Sequence, residues 1–179
     1  DQRRLVHQRA GDRHPLLLAA RELRRHALPE PGQAADLALQ VDELEKAGAR
    51  FGDIATVIGG GAGETAKKLL ALGHQVEIVV PSPFLAARCR DTAKGATVHE
   101  TTFEAFQGQG PYDLCLFSES FQYIPLSESL PKCVRLLAPG GKVLIADCFR
   151  TEAYQGRAAL GPQPGGGHQL TAFQAAVDG

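Results

Sequence analysis

Val57-Ile58-Gly59-Gly60-Gly61-Ala62-Gly63-Glu64 decides the fold. A short apolar run ends in a glycine cluster, and a helical pattern follows. Strand, glycine turn and helix in that order build a nucleotide-cofactor cradle. Glycine accepts the sharp turn and lets the backbone approach a ligand closely. The helix start then offers free N–H groups and a partial positive charge.

Working outward, strands and helices alternate from residue 53. Ile54–Ile58, Val76–Val80, Ala96–His99, Tyr112–Phe117 and Lys142–Ala146 read as strands. Glu64–Leu72, closed by Gly73, reads as a helix. So do Phe84–Thr92, opened by Pro81-Ser82-Pro83, and Ser127–Leu137, with Ser127 as its N-cap. Pro139-Gly140-Gly141 reads as a tight turn. Continuously apolar strands such as Leu114-Cys115-Leu116-Phe117, separated by helices, predict a parallel sheet covered on both faces. The expected class is α/β, a doubly wound, mostly parallel sheet whose ligands bind beyond the carboxyl ends of the strands.

Residues 1–50 are expected to form an N-terminal helical segment, a scaffold or a lid. Leu16, Leu17, Leu18, Ala19, Ala20 and Leu23 form one apolar stretch, and Leu37, Val41 and Leu44 share one face of a second helix. Residues 51–179 form the main domain. Residues 156–168 are rich in Gly and Pro and read as a loop or disordered link. A last helix begins near Leu170. A doubly wound sheet normally carries further strands, so C-terminal strands are expected to be missing, by truncation or because the chain is naturally short.

A chain of 179 residues suits one domain with a full core. Lys and Arg number 19 against 20 Asp and Glu, a balance that points away from nucleic acid or an anionic membrane as partner. No apolar run approaches the roughly 20 residues that span a bilayer. Asp1-Gln2-Arg3-Arg4 has no apolar core behind it and is not expected to be a secretory signal. The four cysteines, Cys89, Cys115, Cys133 and Cys148, form no CxxC pair, so no metal site or disulfide framework is expected. Free thiols in a reducing cytosol are the expectation, with Cys115 and Cys148 as small hydrophobes inside strand-like runs. Nothing in the sequence speaks to oligomeric state.

Over about residues 53–178 the chain resembles the class I S-adenosylmethionine-dependent methyltransferases of small-molecule type. Three segments carry the resemblance. They are the Gly59-x-Gly61-x-Gly63 loop, the stretch Pro111-Tyr112-Asp113-Leu114-Cys115-Leu116-Phe117-Ser118-Glu119-Ser120, and Arg135-Leu136-Leu137-Ala138-Pro139-Gly140-Gly141-Lys142-Val143-Leu144-Ile145-Ala146-Asp147. The last is the most specific. The resemblance implies a Rossmann-like methyltransferase fold, S-adenosylmethionine as cofactor and a small molecule as methyl acceptor. It places Gly59, Gly60, Gly61 and Gly63 against the methionine and ribose parts. Val80-Pro81-Ser82 falls by the ribose hydroxyls, Thr102-Phe103 by the adenine, and Ser118, Glu119 and Ser120 at the mouth. Gln122-Tyr123 comes next to the substrate. Glu119 and Tyr123 are the catalytic candidates. His168, Asp147 and His99 are weaker ones, more simply a loop histidine, a turn cap and a strand end.

Two positions depart from the family pattern. Val57 and Val80 stand where relatives carry acids, the second of which accepts hydrogen bonds from the ribose. Each charge-assisted bond is worth roughly 1.5–3 kcal/mol, so such a loss weakens cofactor binding by about one to three powers of ten. Glu77 sits at odd spacing from Val80 and points to the other face of the strand. Ser82 offers one neutral hydrogen bond, and Glu64 follows the loop directly. Two alternatives therefore stand beside methyl transfer. One is a methyltransferase-like protein that has lost it, serving as an interaction module or taking another ligand. The other, weaker, is a dinucleotide-binding oxidoreductase, although Glu64 occupies the third-glycine position of GxGxxG.

Overall fold

The computed structural model describes residues 17–19, 41, 45–46, 51–150 and 167–178. A parallel sheet forms its centre. Its strands are β1 (Leu17–Ala19), β2 (Ile54–Ile58), β3 (Gln75–Val79), β4 (Thr97–His99), β5 (Tyr112–Ser118) and β6 (Leu137–Ala146), in the spatial order β1-β6-β5-β2-β3-β4. The chain lays down β2, β3 and β4 in one direction, then returns to place β5 and β6 on the other side of β2. The winding reverses between β2 and β5, which is where an open sheet leaves a crevice.

The strands read as continuous apolar runs because they are buried on both faces. Ala55, Val57, Ile78, Leu114, Leu116 and Leu144 enter one core with Ala66 and Leu69 of helix α1 (Glu64–Ala71) and Ala86 and Cys89 of helix α2 (Pro83–Thr92). Their neighbours Ile58, Val79, Cys115, Phe117, Val143 and Ile145 enter a second core with Leu130 and Cys133 of helix α3 (Leu126–Leu136) and Phe173 of helix α4 (Leu170–Asp178). Alternation with a period of two thus serves two cores at once. Asp113 ties the lower edge together. Its Oδ2 accepts from the N–H of Asp53 at 2.9 Å and of Ile54 at 3.0 Å, fixing where β2 starts against β5.

Several expectations change. Leu17–Ala19, expected in a helix, pairs in parallel with Val143–Ile145. A short apolar run is ambiguous between strand and helix, and the free edge of β6 decides it. Val41, Glu45 and Lys46 are helical, as expected; the rest of the N-terminal segment lies outside the described residues. Ser127 does not cap α3, which starts one residue earlier behind Pro125 without a side-chain cap. The turn at Pro139-Gly141 is a register break inside β6: Tyr112 pairs with Leu137 and Leu114 with Lys142. His168 is not in a loop. It opens β8 (His168–Gln169), which pairs with β7 (Phe149–Arg150); residues 151–166 of the expected link lie outside the described residues. Cys148 is exposed beyond the end of β6, while Cys89, Cys115 and Cys133 are buried, all as free thiols. No helix among the described residues is long and apolar enough to cross a membrane.

Candidate active site

The glycine turn leaves the end of β2 at the crevice. The Gly59 N–H donates to the Val79 carbonyl at 2.9 Å, and the Gly63 N–H donates to the Gly60 carbonyl at 2.8 Å. The buried thiol of Cys89 donates to the Gly61 carbonyl at 3.3 Å, tying the turn to α2 from beneath. Three of the glycines are pressed against protein. A Cβ on Gly59 would collide with Ser120, on Gly60 would stand 2.6 Å from Ile78 Cγ2, and on Gly63 3.1 Å from Cys89 Cα. Gly61 differs: its φ is +52°, and a Cβ there would meet nothing within 4 Å. The backbone of Gly61 therefore faces the open side of the crevice, where α1 begins.

The opposite wall is the end of β5. Ser118 is half-buried and closes the strand. Glu119 follows, exposed, with its N–H donating to the Ala146 carbonyl at 2.8 Å. Its φ of +52° puts a non-glycine residue in the left-handed region, a strain that recurs at functional sites. The Ser120 hydroxyl donates to the Ile58 carbonyl at 2.7 Å, stitching this lip to the end of β2. A 3₁₀ turn over Phe121–Tyr123 comes next. Phe121 is fully buried, and Tyr123 is 59% exposed on the rim. Asp147 is a cap: Oδ2 accepts from the Gln122 N–H at 3.0 Å and Oδ1 from the Cys148 N–H at 2.7 Å.

Val57, within β2, and Val80, just past the end of β3, are buried at 0% and 1% exposure, and neither side chain offers a polar atom. Pro81 is exposed. The Ser82 hydroxyl accepts from the Leu85 N–H at 3.4 Å as the N-cap of α2, which leaves its own proton for another acceptor. Glu77 turns to the other face, as its spacing predicts. There its Oε2 accepts from the Tyr112 hydroxyl at 3.0 Å and from His99 Nε2 at 2.6 Å. Burial, then the Glu77 hydrogen bond, pushes the Tyr112 phenol well above its ordinary range.

The adenine-side candidates divide. Thr102 is exposed and its Oγ1 accepts from the Ala105 N–H at 3.3 Å. The Phe103 ring is buried, edge-on to Phe117 at 5.4 Å, with Lys132 Nζ 5.2 Å from its centroid. That ring belongs to the core. Lys132 also donates to the carbonyls of Glu104 and Phe106, at 2.9 and 2.6 Å, clamping this segment onto α3. Burial lowers the Lys132 pKa.

Sequence reasoning missed the seating of His168. Its Nε2 lies 3.0 Å from the Phe121 carbonyl, and its ring stands edge-on to Phe121 at 5.3 Å. The pairing spans 47 residues, and no local pattern announces it. Two grooves lie away from the crevice. One of about 470 Å³ runs between Phe103–Gln109 and α3, and one of about 330 Å³ lies at the lower edge near Ile54, Gln75 and Tyr112. Neither touches the glycine turn, so the switch point is the better candidate. Among the described residues, no group of three His, Cys, Asp or Glu side chains could hold a metal.

Known proteins share this layout. Residues 57–145 match the family model described as a methyltransferase domain. An amino pentose methyltransferase of calicheamicin biosynthesis from Micromonospora echinaspora, solved with S-adenosylmethionine, is 19% identical at a TM-score of 0.57, over 65% of this chain and 52% of its own. The N-methyltransferase NodS from Bradyrhizobium japonicum is 18% identical at a TM-score of 0.60, over 80% of each chain. A methyltransferase from Thiobacillus denitrificans, solved with S-adenosyl-L-homocysteine, is 14% identical at a TM-score of 0.62, over 86% of this chain and 65% of its own. No curated protein matches. At these identities the structures speak for the fold, and the chain spans between about half and four-fifths of their lengths. Sheet order, glycine turn and family match agree: the chain has a Rossmann-like methyltransferase fold and is similar, over residues 57–145, to the methyltransferase domain family.

Proposed function

We propose that the protein transfers a methyl group from S-adenosylmethionine to a small-molecule acceptor at the crevice between β2 and β5. The observation that carries this is the open face of Gly61 opposite the Glu119–Ser120 lip. A cofactor with a charged amino-acid end and a nucleoside end fits this site in part. Among the described residues, the N–H groups of Gly60, Gly61 and Ala62 have no backbone partner and suit the amino-acid end. The nucleoside end meets Pro81, the Ser82 hydroxyl and the Thr102 region, with no carboxylate at position 80. When bound, the cofactor supplies a methyl group activated by a sulfonium. The chain's residues orient and enclose: Gly59–Gly63 hold one wall, Ser118 the other, and Tyr123 offers an aromatic face on the rim. Glu119, the one charged side chain of the lip, attracts and orients a cationic or hydroxyl-bearing acceptor. Holding the two reactants in line accounts for most of the acceleration in such chemistry.

A second reading rests on the two buried valines: the pocket has lost its ribose anchor and with it methyl transfer. Titration calorimetry separates the two. Micromolar S-adenosylmethionine binding supports the enzyme, and no heat at millimolar ligand rules it out. The variant Val80→Asp restores a carboxylate at the end of β3. Because Val80 is 1% exposed, the variant is expected to be less stable without ligand, and in its folded form to tighten S-adenosylmethionine binding about tenfold, since one charged hydrogen bond is worth roughly 1.5–3 kcal/mol.

A further inference from the structure

In a doubly wound sheet the carboxylate that receives a bound nucleoside's ribose hydroxyls stands about 20 residues past the glycine turn, at the end of the next strand. Here that place is the end of β3, and its polar groups are committed elsewhere. Val80 is 1% exposed, and its N–H donates to the His99 carbonyl at 3.0 Å. The Val79 carbonyl takes the Gly59 N–H at 2.9 Å. Pro81 is exposed and carries no N–H. Ser82 Oγ accepts from the Leu85 N–H as the cap of α2. The carboxylates along β3 and just past β4 are taken too. Glu77 lies on the other face of β3, where Oε2 accepts from Tyr112 and His99. Glu100 Oε2 stands 3.5 Å from Arg90 Nη2 of α2. The Thr102 hydroxyl, farther along, accepts from the Ala105 N–H at 3.3 Å.

From this accounting we infer that the crevice binds an adenosyl ligand without reading its ribose hydroxyls, and so takes sugar-modified adenosyl compounds, 2′-deoxy forms among them, nearly as well as the ribose form. This rests on the methyltransferase reading of the same crevice. A ribose hydroxyl that leaves water needs an acceptor for its proton. A carboxylate there would reward the hydroxyl with a charge-assisted bond, and would reject a deoxy sugar because its own charge would then lose a partner. Val80 and Pro81 supply neither the reward nor the penalty. Neutral oxygens such as Ser82 Oγ remain, and a neutral bond that competes with water discriminates by about tenfold at most.

Titration calorimetry with S-adenosylhomocysteine and its 2′-deoxy form tests this on the intact protein, with no methyl acceptor needed. The two dissociation constants are expected to agree within about tenfold, the reach of a neutral bond. In folded Val80→Asp a preference of about tenfold or more for the ribose form is expected to appear, the mark of a charge-assisted bond. A preference of more than about tenfold in the intact protein overturns the inference, because a charged group then reads the ribose. A folded Val80→Asp that stays indifferent overturns it as well, because the ribose then lies away from position 80. The comparison on the intact protein decides alone if the variant fails to fold. Failure of both ligands to bind the intact protein is a separate result: it removes the methyltransferase reading itself.

Discussion

Single residues at the crevice separate two kinds of constraint. Gly59, Gly60 and Gly63 are small because protein lies against them, whereas Gly61 is small beside open space. Gly61→Ala is therefore expected to keep the fold. An alanine at φ +52° costs about 1 kcal/mol, or a fall of about 2–4 °C in Tm for a domain of this size. The same variant should lose S-adenosylmethionine binding, because the new methyl group stands where the ligand must approach. Equal loss of binding without any change in Tm would point to the same conclusion; retained binding would remove Gly61 from the site. Glu119 invites the opposite experiment. Glu119→Gly relieves a strained φ and is expected to raise thermal stability slightly, by about 0.5–1 kcal/mol, while weakening binding of acceptor. A variant that is both less stable and unaltered in function would show that the carboxylate serves the fold.

At the scale of elements, Asp113 governs how β2 meets β5. Removing its carboxylate leaves two backbone N–H groups without their acceptor, so Asp113→Ala is expected to cost about 2 kcal/mol in urea unfolding, with Asp113→Asn intermediate. Elements were legible in the sequence where burial was two-sided. Ile54–Ile58 and Tyr112–Ser118 announce themselves because their apolar side chains all enter one core or the other. The glycine turn was legible because its constraint is on the backbone, which residue type reveals directly. Leu17–Ala19 was not, since three apolar residues fit either period until a free strand edge selects one. The β7–β8 pair was illegible for another reason: two residues per strand carry no period. Within the site, the partners of Ser120 and His168 lie 62 and 47 residues away, beyond any local signal.

For the molecule as a whole, Glu77 joins three strands. Its carboxylate takes a hydrogen bond from Tyr112 on β5 and one from His99 on β4, on the face away from Val80. Tyr112 is 1% exposed, and burial together with Glu77 raises its phenol pKa. A folded-state pKa above the ordinary value of about 10 means that the folded protein holds this proton more firmly than the unfolded chain. The stability this provides is complete below about pH 10 and is lost as the pH climbs further. Urea midpoints measured from pH 8 to 11.5 should fall at the alkaline end, and Tyr112→Phe should flatten that fall while lowering the midpoint at pH 8. The stitch between Ser120 and the glycine turn has a consequence in descent. A side chain at position 59 collides with Ser120, yet stands an ordinary 3.6 Å from the Cα of residue 120. Lineages that replace Gly59 must first have shrunk residue 120 to glycine, since the opposite order passes through an ancestor that folds badly, and even then the new side chain carries the strain of a φ of +71°, so the order of change at this pair of positions is constrained.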